Sequence, residues 1–275
     1  MRIGFFGYNT GPLATPDTAT EIAQAAEQLG FESLWVAEHM VVPSPQAPPS
    51  PMGPDVHIFD PMLSLTWAAA HTKTIRLGTG ILLLPQRHPV QLAKEVATLD
   101  VLSGGRVEIG VGVGYLHQEF AAVGVLMERR GQRTDEYLGA MRALWESDSP
   151  SFDGEFVDFE GVDTQPRPVQ QPLPIVMGGH SRPAYRRTAK YSQAWYGFRR
   201  SPEQAAADIA GITSACEAIG RDVDEIDISV TPDRRVDAEV VEAYGAVGVH
   251  RLLPAVAGDR DRVLATLEGI SALIA

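Results

Sequence analysis

The sequence predicts an α/β protein folded as a (β/α)8 TIM barrel, with insertions after strands 2 and 4. Three observations carry that reading. Strand and helix signals alternate about eight times, where a doubly wound sheet usually needs fewer units. The 275 residues suit one such barrel and are read as a single domain, 1–275. Strand-like runs also carry or end in glycines: Gly78 and Gly80, then Gly110, Gly112 and Gly114, then Gly178 and Gly179.

The elements follow in order. Residues 3–8 are apolar and aromatic, a first strand. Thr15 and Pro16 open a helix as N-cap and first residue; Ile22, Ala25, Ala26 and Leu29 give it an apolar stripe, and Gly30 ends it. Residues 33–39 form the second strand and 61–71 the second helix. The third strand begins at Ile75, with its helix at 90–102 closed by Gly104 and Gly105. Residues 107–114 form the fourth strand and 133–146 a long helix. Asp153-Gly154 within 152–159 reads as a hairpin turn, and a proline-rich run leads to a fifth strand at 174–177. A helix then starts near Pro183. Strands follow at 194–198, 226–231 and 249–254, with helices around 203–219 and from about Asp259.

Composition narrows the function. The formal net charge of −12 argues against nucleic acid and against an anionic membrane surface. The single Cys216 leaves no internal disulfide or Cys-based zinc site. No run approaches a bilayer span, and the opening apolar run is too short for a signal peptide, so the expected location is cytoplasmic. The loop 40–60 holds six of the 20 prolines and is expected, with the hairpin insertion, to build or gate a site.

Glycine inside a strand marks a bulge or a close approach to the backbone, and three such strand ends suggest one planar ligand lying across the barrel rim. Tight βα turns would use the same glycines. Gly110-Val-Gly-Val-Gly-Tyr115 fails the dinucleotide spacing, because Tyr115 stands where the third glycine is required. Gly178-Gly179-His180-Ser181-Arg182 runs from a strand into a helix; with Ser181 as cap and Arg182, Arg186 and Arg187 nearby it can hold an anion. An ordinary connection with solvated arginines reads the same way. Glu38 and His39 end the second strand, where a histidine suits proton transfer. The histidines at 39, 88, 117, 180 and 250 leave a metal-dependent barrel open, although no metal-binding motif supports it and no metal ligand is assigned.

At these residues the chain resembles the luciferase-like monooxygenase superfamily, in its deazaflavin-dependent oxidoreductase branch. The resemblance lies in Ser33-Leu-Trp-Val-Ala-Glu-His39, in Leu77-Gly-Thr-Gly-Ile-Leu-Leu-Leu-Pro85 with Arg87-His88-Pro89, and in Leu102-Ser-Gly-Gly-Arg106 with the glycines to Gly114. Arg130-Gly-Gln-Arg-Thr-Asp-Glu136 and Met177-Gly-Gly179 extend it. It covers most of the chain and thins after Gly179. It implies a barrel binding coenzyme F420, or alternatively FMN, at its C-terminal rim. The ring then lies on a third-strand bulge at Gly80-Ile81 that contains a non-proline cis peptide. Gly112, Gly114 and Tyr115, and Met177, Gly178 and Gly179 with Ser181 and Arg182, flank the rest of the cofactor. Independently of the resemblance, the aromatic residues Phe6, Trp35, Phe59, Trp195 and Tyr196 are candidates for orienting a ring and excluding water, or for the core. Glu38 and His39 face the ring as catalytic residues, His39 as proton partner. Tyr115 stands where close relatives usually place Trp. The expected activity is hydride transfer to or from an unidentified small organic substrate; the expected assembly is a homodimer. An FMN-dependent monooxygenase of this fold would need oxygen and a flavin reductase, and an F420 reductase is the counterpart partner for the leading reading.

Overall fold

The computed structural model describes residues 1–274, so only the final position of the 1–275 chain lies outside the described residues. The first barrel strand is split into β1 (Arg2–Ile3) and β2 (Phe5–Phe6) at Gly4. Then follow α1 (Pro16–Gln28), β3 (Ser33–Val36), α2 (Pro61–His71), β4 (Arg76–Thr79), β5 (Leu82–Leu83), α3 (Pro89–Ser103) and β6 (Val107–Gly112). Next come α4 (His117–Ala122), α5 (Arg130–Glu146), β7 (Phe152–Asp153), β8 (Asp158–Phe159) and β9 (Ile175–Gly178). The chain continues through α6 (Arg182–Tyr191), β10 (Ala194–Arg200), α7 (Pro202–Glu217), β11 (Asp227–Pro232), α8 (Ala238–Ala246), β12 (Arg251–Leu252) and α9 (Arg260–Ser271).

The sheet runs β1-β12-β11-β10-β9-β6-β4-β3-β2, all parallel. Its two ends are the halves of one strand, so the barrel closes. Gly4 does not open the wall, because its N–H donates to Leu252 O at 2.9 Å. A side chain at Gly4 would strike Ser33 and Leu253. Alternation along the strands separates two sets of side chains. Phe5, Leu34, Leu77 and Ile175 pack with the helices, whereas Phe6, Trp35, Val176, Tyr196 and Leu253 form a separate cluster. Trp35 pairs in register with Gly78, and its indole fills the space that a Gly78 side chain would need.

The expected elements are present with local differences. Helix α5 starts three residues earlier than the stripe from Arg133 suggests. Two helices have no counterpart in the sequence reading. Helix α8 buries only Val240 and Tyr244, too thin a stripe to read, although Asp237 caps it through Val240 N at 2.9 Å. Helix α4 spans six residues and depends on burying Glu119 and Phe120. The β7–β8 hairpin follows helix α5, in the order the sequence signals give. It packs alongside α5, with Phe156 N–H donating to Glu136 at 2.8 Å. It therefore flanks the barrel and does not gate its rim.

One end of the barrel is closed by a buried ion network. Arg251, on β12, donates to Glu108 on β6 at 2.8 and 3.1 Å and to Glu32 at 2.9 Å. Arg76 donates to the same Glu108 carboxylate, and Arg251 lies over the Trp35 ring at 5.5 Å. Burial alone would raise the Glu108 carboxyl, but the charges of Arg251 and then Arg76 hold it below the usual range. A depressed folded value means this contribution is complete above the unfolded pKa of about 4.3 and is lost as pH falls through the folded value. Glu108→Gln should therefore destabilise the protein by about 3 kcal/mol at neutral pH and flatten its loss of stability on acidification. Urea unfolding between neutral and acidic pH checks this; an unchanged midpoint at neutral pH contradicts it.

Candidate active site

A cavity of about 530 Å³ opens where β2, β3, β4, β6, β9 and β10 end. Its wall is built around one side chain. Strand β4 stops at Thr79 and pairing resumes at Leu82, with the Gly80–Ile81 peptide cis as the resemblance implies. Thr79 Oγ1 donates to Gly110 O at 2.7 Å and accepts Gly110 N–H at 2.8 Å, closing the ladder where the strand departs. Ile81 then turns its side chain onto β6 and β9. A Cβ at Gly112 or Gly178 would meet Ile81, one at Gly110 would strike the Thr79 carbonyl first, and one at Gly80 would meet Phe6 and Tyr196. These glycines thus make room for protein atoms first, a correction to reading them as direct ligand contacts. Gly80, Ile81, Gly112, Gly114, Met177, Gly178 and Gly179 nevertheless all line the cavity, together with Phe6, Tyr115 and Ser181.

Glu38 is buried beneath the bulge. Its carboxylate accepts Leu83 N–H at 2.5 Å, Arg87 Nε at 2.8 Å and Arg87 Nη2. Arg87 continues to Asp60 at 3.0 Å, and Asp60 caps α2. Burial pushes the Glu38 carboxyl up, and the Arg87 charge opposes that push. Glu38 lines the cavity, yet both its oxygens are committed to holding the segment after Ile81.

His39 has a different carboxylate. Its Nδ1 lies 3.3 Å from Glu119 Oε2, and Glu119 Oε1 accepts Met40 N–H at 2.7 Å. Glu38 and His39, expected together as catalytic residues, thus belong to separate networks: beyond the end of β3 the first turns to Leu83 and Arg87 and the second to Glu119. Glu119 is fully buried on α4 and was missed in the sequence. Its one local signal is an acid directly before Phe120 in Leu116-His-Gln-Glu-Phe120. An ionised Glu119 favours a proton on Nδ1, leaving Nε2 to accept or donate. Tyr115 stands edge-on to His39 at 6.0 Å, and burial, then Glu119, raises its hydroxyl.

The opposite end of the cavity is polar. Gly179 takes a φ of 115° and Ser181 caps α6, its side chain accepting Ala184 N–H at 3.4 Å. Arg187 lines the cavity and pairs with Asp135 at 2.6 Å. His180 also lines it, its Nδ1 3.6 Å from Asp208. Burial would raise Asp208, but His180, Tyr185 at 2.6 Å and Arg200 at 2.7 Å together hold it low. Arg182, expected at the anion site, is exposed and lies outside the cavity lining. It occupies the first turn of α6, whereas Arg187, a turn and a half further on, faces inward.

The proline-rich loop covers the mouth through Pro51 and Met52, while no residue of 147–174 reaches the cavity. The loop is tied down by Asn9, whose amide donates to Ala37 O and Phe59 O, both at 2.9 Å. Gly11 N–H donates to His57 O at 2.7 Å. His39, His180 and His250 each pair with a single acid, and among the described residues no three metal-ligating side chains gather. Among the same residues no helix is long and apolar enough to cross a membrane.

A model of the luciferase-like monooxygenase family matches residues 2–263. An uncharacterised protein of Mycobacterium tuberculosis is 38% identical over 186 residues, 65% of this chain and 65% of that protein. The match to this first group of curated relatives thus spans just under two thirds of their length. The oxygenase component of a flavin-dependent trigonelline monooxygenase from Acinetobacter baylyi is 34% identical over 162 residues, 58% of this chain and 42% of that one. In fold, an F420-dependent secondary alcohol dehydrogenase solved with an F420–acetone adduct gives a TM-score of 0.83 at 19% identity, over 99% of this chain and 98% of that chain. With the family match running from the first barrel strand into the last helix, and the cavity sitting at the strand ends between, the chain belongs to the luciferase-like monooxygenase family.

Proposed function

We propose that this chain is an oxidoreductase that uses coenzyme F420 for hydride transfer to or from a small organic substrate. The observation that carries the reading is the cavity itself: a bulge-floored, largely apolar slot with the Glu119-held His39 at one end and the Ser181-capped start of α6 at the other. When bound, F420 supplies a ring carbon that accepts or gives a hydride. The residues fit such a group. Ile81, Phe6 and Tyr196 give a planar ring an apolar support, and the backbone of Gly112, Gly114, Gly178 and Gly179 lines the cavity beside it. Ser181 and Arg187 suit a phosphate. The volume lies within the range of about 300–1,000 Å³ usual for small-molecule sites.

The chain's own work is orientation, water exclusion and proton transfer. Met52 and Pro51 shield the mouth, Glu38 and Arg87 fix the bulge, and Glu119 fixes the His39 ring. Nε2 of His39 then takes a proton from a substrate hydroxyl, or returns one to a carbonyl oxygen, as the hydride moves. The end-to-end likeness to an F420-dependent dehydrogenase supports F420, as do Arg182, Arg186 and Arg199, which are exposed and form no ion pair among the described residues. An acidic oligoglutamate tail is the kind of partner those cations suit. FMN is the second reading, favoured by the flavin-dependent Acinetobacter relative.

Fluorescence titration is expected to give tighter binding for F420 than for FMN, with F420 affinity falling as salt is added. Equal or tighter FMN binding overturns the cofactor assignment. His39→Ala is expected to lower turnover by roughly 10²–10⁴-fold, the usual worth of a positioned acid–base group, while cofactor affinity stays nearly constant. Paired kinetics and titration check this; turnover near wild type would reduce His39 to a packing residue.

A further inference from the structure

The polar end of the cavity carries a second histidine, which the proton-transfer reading does not use. We infer that His180 is a proton-coupled anion ligand: a tetrahedral anion entering at the turn from Gly179 to Ser181 binds with uptake of one proton by the His180 ring. The inference rests on the reading above that this turn takes a phosphate.

The ring is held before any anion arrives. Gly179, the residue before it, is pinned by Trp195, whose Nε1 donates to Gly179 O at 2.9 Å. The same fully buried Trp195 stands edge-on to the His180 ring at 5.8 Å. His180 Nδ1 lies 3.6 Å from Asp208 Oδ2, an ion-pair distance. Asp208, buried on α7, also accepts the Tyr185 hydroxyl of α6 at 2.6 Å and Arg200 Nε of β10 at 2.7 Å. Burial opposes its charge, but His180, Tyr185 and Arg200 together keep it a carboxylate. A carboxylate facing Nδ1 favours a proton on that nitrogen. Nε2 is then the ring nitrogen left for a ligand, and His180 lines the cavity.

The other charged groups at this end do not titrate near neutral pH. Arg187 lines the cavity and is paired with Asp135 at 2.6 Å, and Arg200 already pairs with Asp208. Arg182 and Arg186 are exposed and lie outside the lining. Burial first, then Asp208, pushes the Tyr185 hydroxyl up to about 12, so it stays neutral. Histidine is the side chain suited to changing charge between about pH 5 and 8.

A neutral imidazole with its proton on Nδ1 offers an anion a lone pair at Nε2. The protonated ring offers a donor and a positive charge instead. Anion and proton therefore favour each other's binding, by linkage. The proton comes from solvent, adds to Nε2 and returns to solvent when the anion leaves. Because the occupied site holds the proton more tightly than the empty one, affinity is greatest at acidic pH and is lost as pH rises.

Sulfate tests the inference, because its two charges are fixed across the range where imidazole titrates. Calorimetry on the full chain is expected to show roughly tenfold tighter sulfate binding at about pH 6 than at about pH 8. Proton uptake should appear as a heat of binding that changes with the ionisation enthalpy of the buffer. His180→Gln should bind sulfate weakly and equally at both pH values. His180→Lys, whose charge is fixed, should also lose the pH dependence, whereas His39→Gln, altered at the other end of the cavity, should keep it. Wild-type affinity that does not change with pH overturns the inference. So does undetectable sulfate binding at the acidic value, or a pH dependence that survives in His180→Gln. Sulfate carries no ring, so a failed F420 assignment is read separately, as tighter FMN binding with the sulfate profile intact.

Discussion

The seating of Ile81 is the constraint on which the rest of this site depends. A side chain projecting from a strand bulge needs room on the neighbouring strands, and in a parallel barrel those neighbours are packed edge to edge. Room exists because Gly112 and Gly178 carry no side chain towards it, while Gly110 lets the Thr79 backbone come close. Phe6 and Tyr196 press on Gly80 from the other side, so the bulge is held between two strands of glycine and two aromatic rings. Replacing Gly112 or Gly178 by a larger residue would push Ile81 out of its seat and reshape the cavity wall, and at Gly110 it would drive the Thr79 backbone away. The glycine pattern is therefore a packing requirement first and a property of the cavity second.

Two buried carboxylates next to this bulge have acquired different tasks through their neighbours alone. Glu38 meets a guanidinium and a backbone amide, and serves as an anchor linking β3, the segment after the bulge and the start of α2. Glu119 meets an imidazole and the N–H of Met40, and sets the orientation of His39. Proton transfer needs a histidine whose ring is held and whose second nitrogen is open, and only the second arrangement provides that. The cavity is consequently polarised, with a proton donor or acceptor at one end and a cationic, N–H-rich turn at the other.

Most of the barrel was legible because its signals are local. Proline at helix starts, serine, threonine and aspartate caps, and apolar strand runs punctuate the chain, and the structure places eight barrel strands where those signals fall. What escaped was non-local. Helix α4 is too short to have a stripe and exists because Glu119 and Phe120 are buried by other segments. Adjacent Glu38 and His39 look like partners on paper, but their separation into two networks depends on Arg87 and Glu119, 49 and 80 positions away. The inward turn of Arg187, rather than Arg182, follows from helix phase and from Asp135 on α5, which no neighbouring residue announces. The rim glycines were readable as unusual; that they accommodate a side chain from a third strand was not.

The central claim is that the cavity holds a ring on the Ile81 bulge and a phosphate at the turn from Gly179 to Ser181. A crystal structure of the chain soaked with F420 tests it most directly. The account predicts density for the ring against Gly80 and Ile81, with phosphate oxygens in hydrogen-bond reach of Ser181 or the adjoining backbone N–H groups. Ring density outside the cavity, or the phosphate lodged beside His39, would contradict it.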